Sequence, residues 1–213
     1  MICAYDKTYL DGAKRVLGRM LDFAVYDLQY EMKEFFGMFL ESDVSKRFEK
    51  GDFSILAGKS GVEVAYEVLD DRKIDVVRLQ PRYTANRSEE YWTGWALAHY
   101  QWETALSFVE ITKSIPLHYV KALYSPYHEM DITHFVEKMN ALYRAANPDT
   151  NLKKMRKQAG LSQSELATFS GIPVRTIQQY EQRQKNINKA QVEYLFRLSG
   201  ALGCDVECLI EKV

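Results

Sequence analysis

The chain has 213 residues, 46% of them hydrophobic, with 28 Lys+Arg against 29 Asp+Glu and a formal net charge of −1. That is enough apolar material for one large or two small domains, and the near-neutral balance excludes a uniformly basic nucleic-acid protein. The three cysteines (Cys3, Cys204, Cys208) form no disulfide framework, Asp6 and Lys7 argue against a signal peptide, and no apolar run approaches the roughly 18 residues of a membrane span, so a soluble cytoplasmic protein is expected.

Ala13, Val16, Leu17, Met20, Leu21, Ala24, Val25 and Leu28 recur at spacings of three and four, which predicts a first amphipathic helix. A second is expected from Met32 to Glu41, with another turn or two over 44–50. Gly51, Gly58 and Gly61 punctuate the next stretch. There Ser60 caps a helix through Leu69, and Glu63 completes a capping box. Residues 74–79 alternate like a strand, but Pro81 follows and no partner strand is evident, so 71–87 read as a connecting loop.

A long helix is expected from Ser88 to about Phe108, a short one around 117–124 ending before Pro126, and another from Asp131 to about Ala146. Asn147-Pro148 then disfavours helix at the asparagine. This places the boundary between a helical domain over 1–147, with a partner, dimerisation or sensing role, and a second domain over 148–213. The whole reads as all-α. Charge divides near the same place. Residues 151–213 hold 10 Lys+Arg against 6 Asp+Glu, and 151–190 hold 8 against 2, whereas residues 1–150 hold 18 against 23. The positive field sits on the last segment.

That segment carries the clearest pattern. Ser162 precedes a short helix and Glu165 closes its capping box, while Gly171 ends it with a left-handed backbone. Ile172 fills the corner, Pro173 starts a second helix, and Ile177 and Tyr180 face inward. Val174, Arg175, Gln178, Gln179 and Gln182 are left outward, and Arg and Gln are the side chains that pair bidentately with guanine and adenine edges. Two helices this short need support, expected from flanking helices at about 151–159, 189–202 and 205–211, which makes a five-helix unit.

Residues 152–211 resemble the phage-repressor helix-turn-helix domain, the Cro-like or XRE family. The resemblance rests on Leu161-Ser162-Gln163-Ser164-Glu165-Leu166-Ala167, the turn glycine, Thr176-Ile177-Gln178-Gln179-Tyr180-Glu181 and a closing run from Ala201 to Ile210. It implies that Val174, Arg175 and Gln179 read bases, with Gln178 beside them. It assigns DNA-backbone contacts to Gln163, Gln182 and Arg183, with Thr176 flanking; apart from the resemblance, Lys185 reads as a nonspecific phosphate partner alongside Lys153, Lys154, Lys157 and Lys189. The resemblance also implies a structural ion pair between Arg156 and Glu181. Two departures bear on base preference: Pro173 stands where the family usually has a Ser or Thr cap, and Val174 replaces a commonly polar reader, suiting a thymine methyl.

The upstream region holds 23 of the 27 aromatic residues. Trp92, Trp95 and Trp102 follow helical spacing with His99, either as packed core or as a partner surface. A nucleotide-stacking role lacks basic residues interleaved in the sequence. Catalytic and metal chemistry find little footing. Gly58-Lys59-Ser60 has the end of a phosphate-binding loop but Phe53 where its first glycine belongs. His128, Glu129 and His134 lack ligand spacing on one helix. Neither a cofactor nor a metal is expected, and no catalytic residue can be nominated.

The expectation is a sequence-specific double-stranded DNA-binding transcriptional regulator, with repression the favoured sign. It acts as a homodimer on half-sites about 34 Å apart. The alternative is an antitoxin-type protein whose N-terminal domain neutralises a protein partner while the second domain autoregulates the operon. An enzyme in the N-terminal domain is the third reading.

Overall fold

A computed structural model describes residues 3–82 and 87–213 of the chain. The expected loop over 71–87 falls partly on residues 83–86, which lie outside the described residues. The chain divides into two compact units, Met1–Ala146 and Asn147–Val213. Among the described residues both are helical and neither contains a strand.

The first unit is organised around helix α1 (Leu10–Tyr26). Its apolar stripe, including Ala13, Leu17, Met20, Leu21 and Ala24, is fully buried. Helices α2 (Met32–Glu41), α3 (Asp43–Glu49), α4 (Phe53–Leu56) and α5 (Gly61–Asp71) follow in short steps. Then come α6 (Glu89–Thr104), α7 (Phe108–Ser114), α8 (Leu117–Ala122), α9 (Tyr124–Tyr127) and α10 (Ile132–Ala146). The capping box at Ser60 and Glu63 is present, because both halves of it are local.

Helix α1 packs against α6 along its length and against α5 beside it. The α1–α6 approach is close enough to require glycine. A Cβ on Gly94 would lie 2.5 Å from the Leu17 carbonyl oxygen, and one on Gly18 would lie 2.8 Å from that of Tyr91. Around this pair the aromatic residues form core. Phe36, Phe39, Phe48 and Phe108 are essentially inaccessible, with neighbouring ring centroids 5.4–6.2 Å apart. Each buried phenylalanine contributes roughly 1.5–3 kcal/mol.

The structure corrects two sequence boundaries. The helix expected to run to Phe108 ends at Thr104, where Ala105 turns left-handed at φ 52°. The Thr104 hydroxyl donates to the Tyr100 carbonyl at 2.7 Å and accepts from the Leu106 amide, and a Ser107–Glu110 capping box starts α7. The helix expected to stop before Pro126 ends at Ala122, and a further single turn includes that proline. Helix α5 runs to Asp71, and residues 72–82 form the expected loop, pinned by the Tyr66 hydroxyl, which accepts from the Leu79 amide at 2.7 Å, and by Arg78 on Asp70.

The second unit contains α11 (Asn151–Gln158), α12 (Gln163–Ser170), α13 (Val174–Glu181) and α14 (Val192–Leu202), with short 3₁₀ turns at Ile187–Lys189 and Val206–Leu209. The fifth helix, expected at 205–211, is only the second of these turns. Leu152, Leu166, Ile172, Ile177, Tyr180, Leu195, Leu198 and Leu209 form one core. The tail is tied back to the start of α11, since Glu211 accepts from the Asn151 amide at 2.5 Å and Ile210 from the Asn151 side chain at 2.7 Å.

The glycine contact gives a direct prediction. Gly94→Ala must force α1 and α6 apart and should destabilise the first unit by about 1–3 kcal/mol. Gly37→Ala, at a helical position with nothing within 4 Å, should stabilise by about 0.5–1 kcal/mol. Urea unfolding followed by tryptophan emission, which arises only from this unit, measures both. Equal effects would contradict the packing described.

Candidate nucleic-acid interface

The expected two-helix motif is built on α12 and α13. Ser162 accepts from the Glu165 amide at 3.1 Å while its own amide donates to Glu165 at 2.8 Å, so α12 begins with its end groups satisfied. Gly171 is left-handed at φ 67°, which lets the chain reverse within two residues. Pro173 precedes α13 with its φ fixed near −54° and no N–H to donate. Ile177 and Tyr180 turn inward; the outer side of α13 is then set by helical period.

One ion pair fixes the angle of this helix. Arg156 on α11 reaches Glu181, the last residue of α13, through two parallel contacts of 2.6 and 3.0 Å. Its remaining terminal nitrogen donates to the Leu161 carbonyl at 2.6 Å. The Glu181 side chain is 2% exposed and that of Arg156 11% exposed. The side chain of Gln163 donates to Glu181 at 2.8 Å and accepts from Gln178 at 3.4 Å. Arg156, Glu181, Gln163 and Gln178 therefore form one polar seam joining α11, α12 and α13.

The other predicted residues are placed as follows. Arg175 and Gln182 are exposed, and Val174, Thr176 and Gln179 are half-buried. The Gln179 carbonyl closes the helix by accepting from the amides of Gln184 and Lys185. Lys185 is exposed just beyond. Arg183, left-handed at φ 56°, points its guanidinium at the backbone before α11, with 2.8 Å to the Pro148 carbonyl, 3.3 Å to that of Asn147 and 3.9 Å to Glu211. Lys153 and Lys157 are each 2.7 Å from Asp149, and these two ammonium groups hold its carboxyl at about 2. Sequence reasoning overlooked both arrangements. Asp149 lies four residues before Lys153 and eight before Lys157, a spacing that could have shown the pairing; nothing local marks the reach of Arg183.

Among the tryptophans, Trp92 meets Tyr124 and Phe135 edge-on, Trp95 stacks with His99, and the Trp102 indole donates to the Tyr5 carbonyl at 2.8 Å. All three are half-buried. Among the described residues no group of His, Cys, Asp and Glu is arranged to hold a metal ion. No described helix is long and apolar enough to cross a membrane.

Two short helices joined by a glycine turn, the second held outward across a supporting bundle, define the DNA-binding helix-turn-helix class. Residues 152–207 match the family model described as helix-turn-helix, so the C-terminal unit is a domain of that kind. No curated protein and no solved structure matches the chain.

The polar seam makes a testable claim about stability. Glu181→Ala leaves the Arg156 guanidinium and the Gln163 amide without their acceptor and should cost the second unit about 3–5 kcal/mol. Arg156→Met combined with Glu181→Leu should recover most of that loss. Calorimetric unfolding of the full chain follows both; a single variant as stable as the parent would contradict the placement of the pair.

Proposed function

We propose that the chain is a sequence-specific regulator of transcription, a repressor that binds double-stranded DNA as a homodimer. Its C-terminal domain lays α13 in the major groove. Arg175 and Gln179 read base edges, Gln178 stands beside them, and Val174 meets a thymine methyl. Gln163, Thr176, Gln182 and Lys185 hold the phosphate backbone, which sets register without reading sequence. Arg183 reaches phosphate only by releasing the carbonyls of Asn147 and Pro148.

The observation that carries this reading is the outward placement of Arg175 on a helix whose inner side and angle are fixed. Arg175 is exposed, and among the described residues no carboxylate lies within ion-pair distance of it. Its bidentate donors stay available to a guanine. The homodimer draws support from large apolar side chains on the same unit. Val192 and Phe196, one turn apart on α14, are 66% and 65% exposed, and Phe169 on the neighbouring α12 is 65% exposed.

The experiment is selection of duplexes from a random pool by the full chain, then binding measurements on the winner. Arg175→Ala with Gln179→Ala should weaken the selected site by about a hundredfold and leave nonspecific binding nearly unchanged. Lys185→Ala should keep the sequence preference and lower the salt slope by about one unit. An unaltered preference in the double variant would refute the assignment.

A further inference from the structure

Two clefts in the first unit adjoin one another and share Arg87 and Tyr91. The larger, about 420 Å³, lies beside α1 and the start of α5. Arg15, Arg19, Lys59, Arg82 and Arg87 line it, with Asp22 its one acidic side chain. Five cations converge here although residues 1–150 hold more acids than bases. Like charges gathered at one cleft repel, so the arrangement favours an anion that occupies it.

The acidic groups nearby pair with two of the five cations, Arg19 and Lys59, and leave Arg15, Arg82 and Arg87. Asp22 is buried, pairs with Arg19 and accepts from the Ser88 hydroxyl at 2.6 Å. Arg19 also lies 3.8 Å from Asp27 and donates to the Arg82 carbonyl at 2.9 Å, while Asp27 accepts from the Arg82 amide at 2.8 Å, which fixes the backbone that presents Arg82. Lys59 pairs with Glu67. Among the described residues no carboxylate lies within ion-pair distance of Arg15, Arg82 or Arg87. The start of α5 adds no free donor at Ser60, because Glu63 accepts from the Ser60 amide at 2.7 Å. Gly58-Lys59-Ser60 therefore lines the cleft without forming a phosphate-binding loop.

The second cleft, about 280 Å³, is aromatic. Trp92, Trp95, Tyr124, Tyr127 and His128 line it, with Tyr124 and His128 stacked 4.2 Å apart at 17°. At the junction Arg87 lies over the Tyr91 ring, 4.6 Å from its centroid. Together the clefts fall within the roughly 300–1,000 Å³ usual for small-molecule sites. Arginines suit phosphate oxygens, and tryptophan and tyrosine faces suit a flat heteroaromatic ring. The basic residues missing from the sequence around the tryptophans are supplied by Arg15 and Arg19 of α1 and by Arg82 and Arg87.

From this juxtaposition we propose that the first unit binds a nucleotide, its phosphates among the arginines of the larger cleft and its base against the aromatic walls of the smaller. The site stands independently of DNA recognition by α13.

The test titrates the full chain with ATP, GTP, adenosine and tripolyphosphate, read by calorimetry and by quenching of tryptophan emission. A nucleoside triphosphate should bind with a Kd on the order of micromolar and quench emission. Adenosine and tripolyphosphate should each bind at least about tenfold more weakly. Arg15→Ala with Arg87→Ala, both exposed positions, should weaken nucleotide binding by about tenfold or more while leaving thermal unfolding unchanged. Tyr127→Ala should erase the advantage of nucleotide over tripolyphosphate, and Arg175→Ala with Gln179→Ala should change nothing here. No binding of ATP or GTP at millimolar concentration would overturn the proposal. So would equal affinity for tripolyphosphate, loss of binding in the α13 variant alone, or far tighter binding of a single-stranded oligonucleotide at the same arginines.

Discussion

Arg156 and Glu181 meet through two parallel contacts in the C-terminal unit, and the orientation of α13 depends on that meeting. A helix of eight residues is marginal by itself. Ile177 and Tyr180 hold its inner side by burial, which is strong but tolerant of rotation. The fork of Arg156 adds direction, because a guanidinium and a carboxylate align in few ways. Glu181 also accepts from Gln163 at the start of α12. The two helices of the motif are thus referenced to the same carboxylate, and small errors in their crossing angle are suppressed.

The same economy of contacts appears at the start of the second unit. Arg183 follows α13 by two residues and holds the carbonyls of Asn147 and Pro148, the first residues of the second unit. Asp149, next along, holds Lys153 and Lys157 on α11. The first residues of the second unit are therefore anchored to the exit of α13 and to the helix that carries Arg156. Any phosphate that recruits Arg183 or these lysines must compete with ties made inside the protein, so the effective positive charge of the unit is lower than its residue count suggests.

Local signals were legible in the sequence. The capping boxes at Ser60 and Ser162 need only four adjacent residues, and the left-handed turn at Gly171 needs one. The Arg156–Glu181 pair was legible through a family resemblance, since nothing in a 25-residue separation announces it. What could not be read was of two kinds. The end of α6 at Thr104 turns on a left-handed alanine, a conformation that favours glycine or asparagine and that alanine does not announce, although Ser107 and Glu110 carried a capping signal just beyond it. The cationic cleft was hidden because Arg15 and Arg19, Lys59, and Arg82 and Arg87 belong to three separate stretches that only tertiary packing brings together. For the tryptophans, helical spacing indicated a shared helix but not which rings would face a cleft.

The account turns on α12 and α13 forming the surface that meets DNA. Hydrogen–deuterium exchange of the full chain, with and without its selected duplex, locates that surface without altering a residue. The account predicts slowed exchange at 163–165 and 174–185, with α7 through α9 unchanged. Protection confined to the first unit, with α13 exchanging as fast as in the free chain, would contradict it.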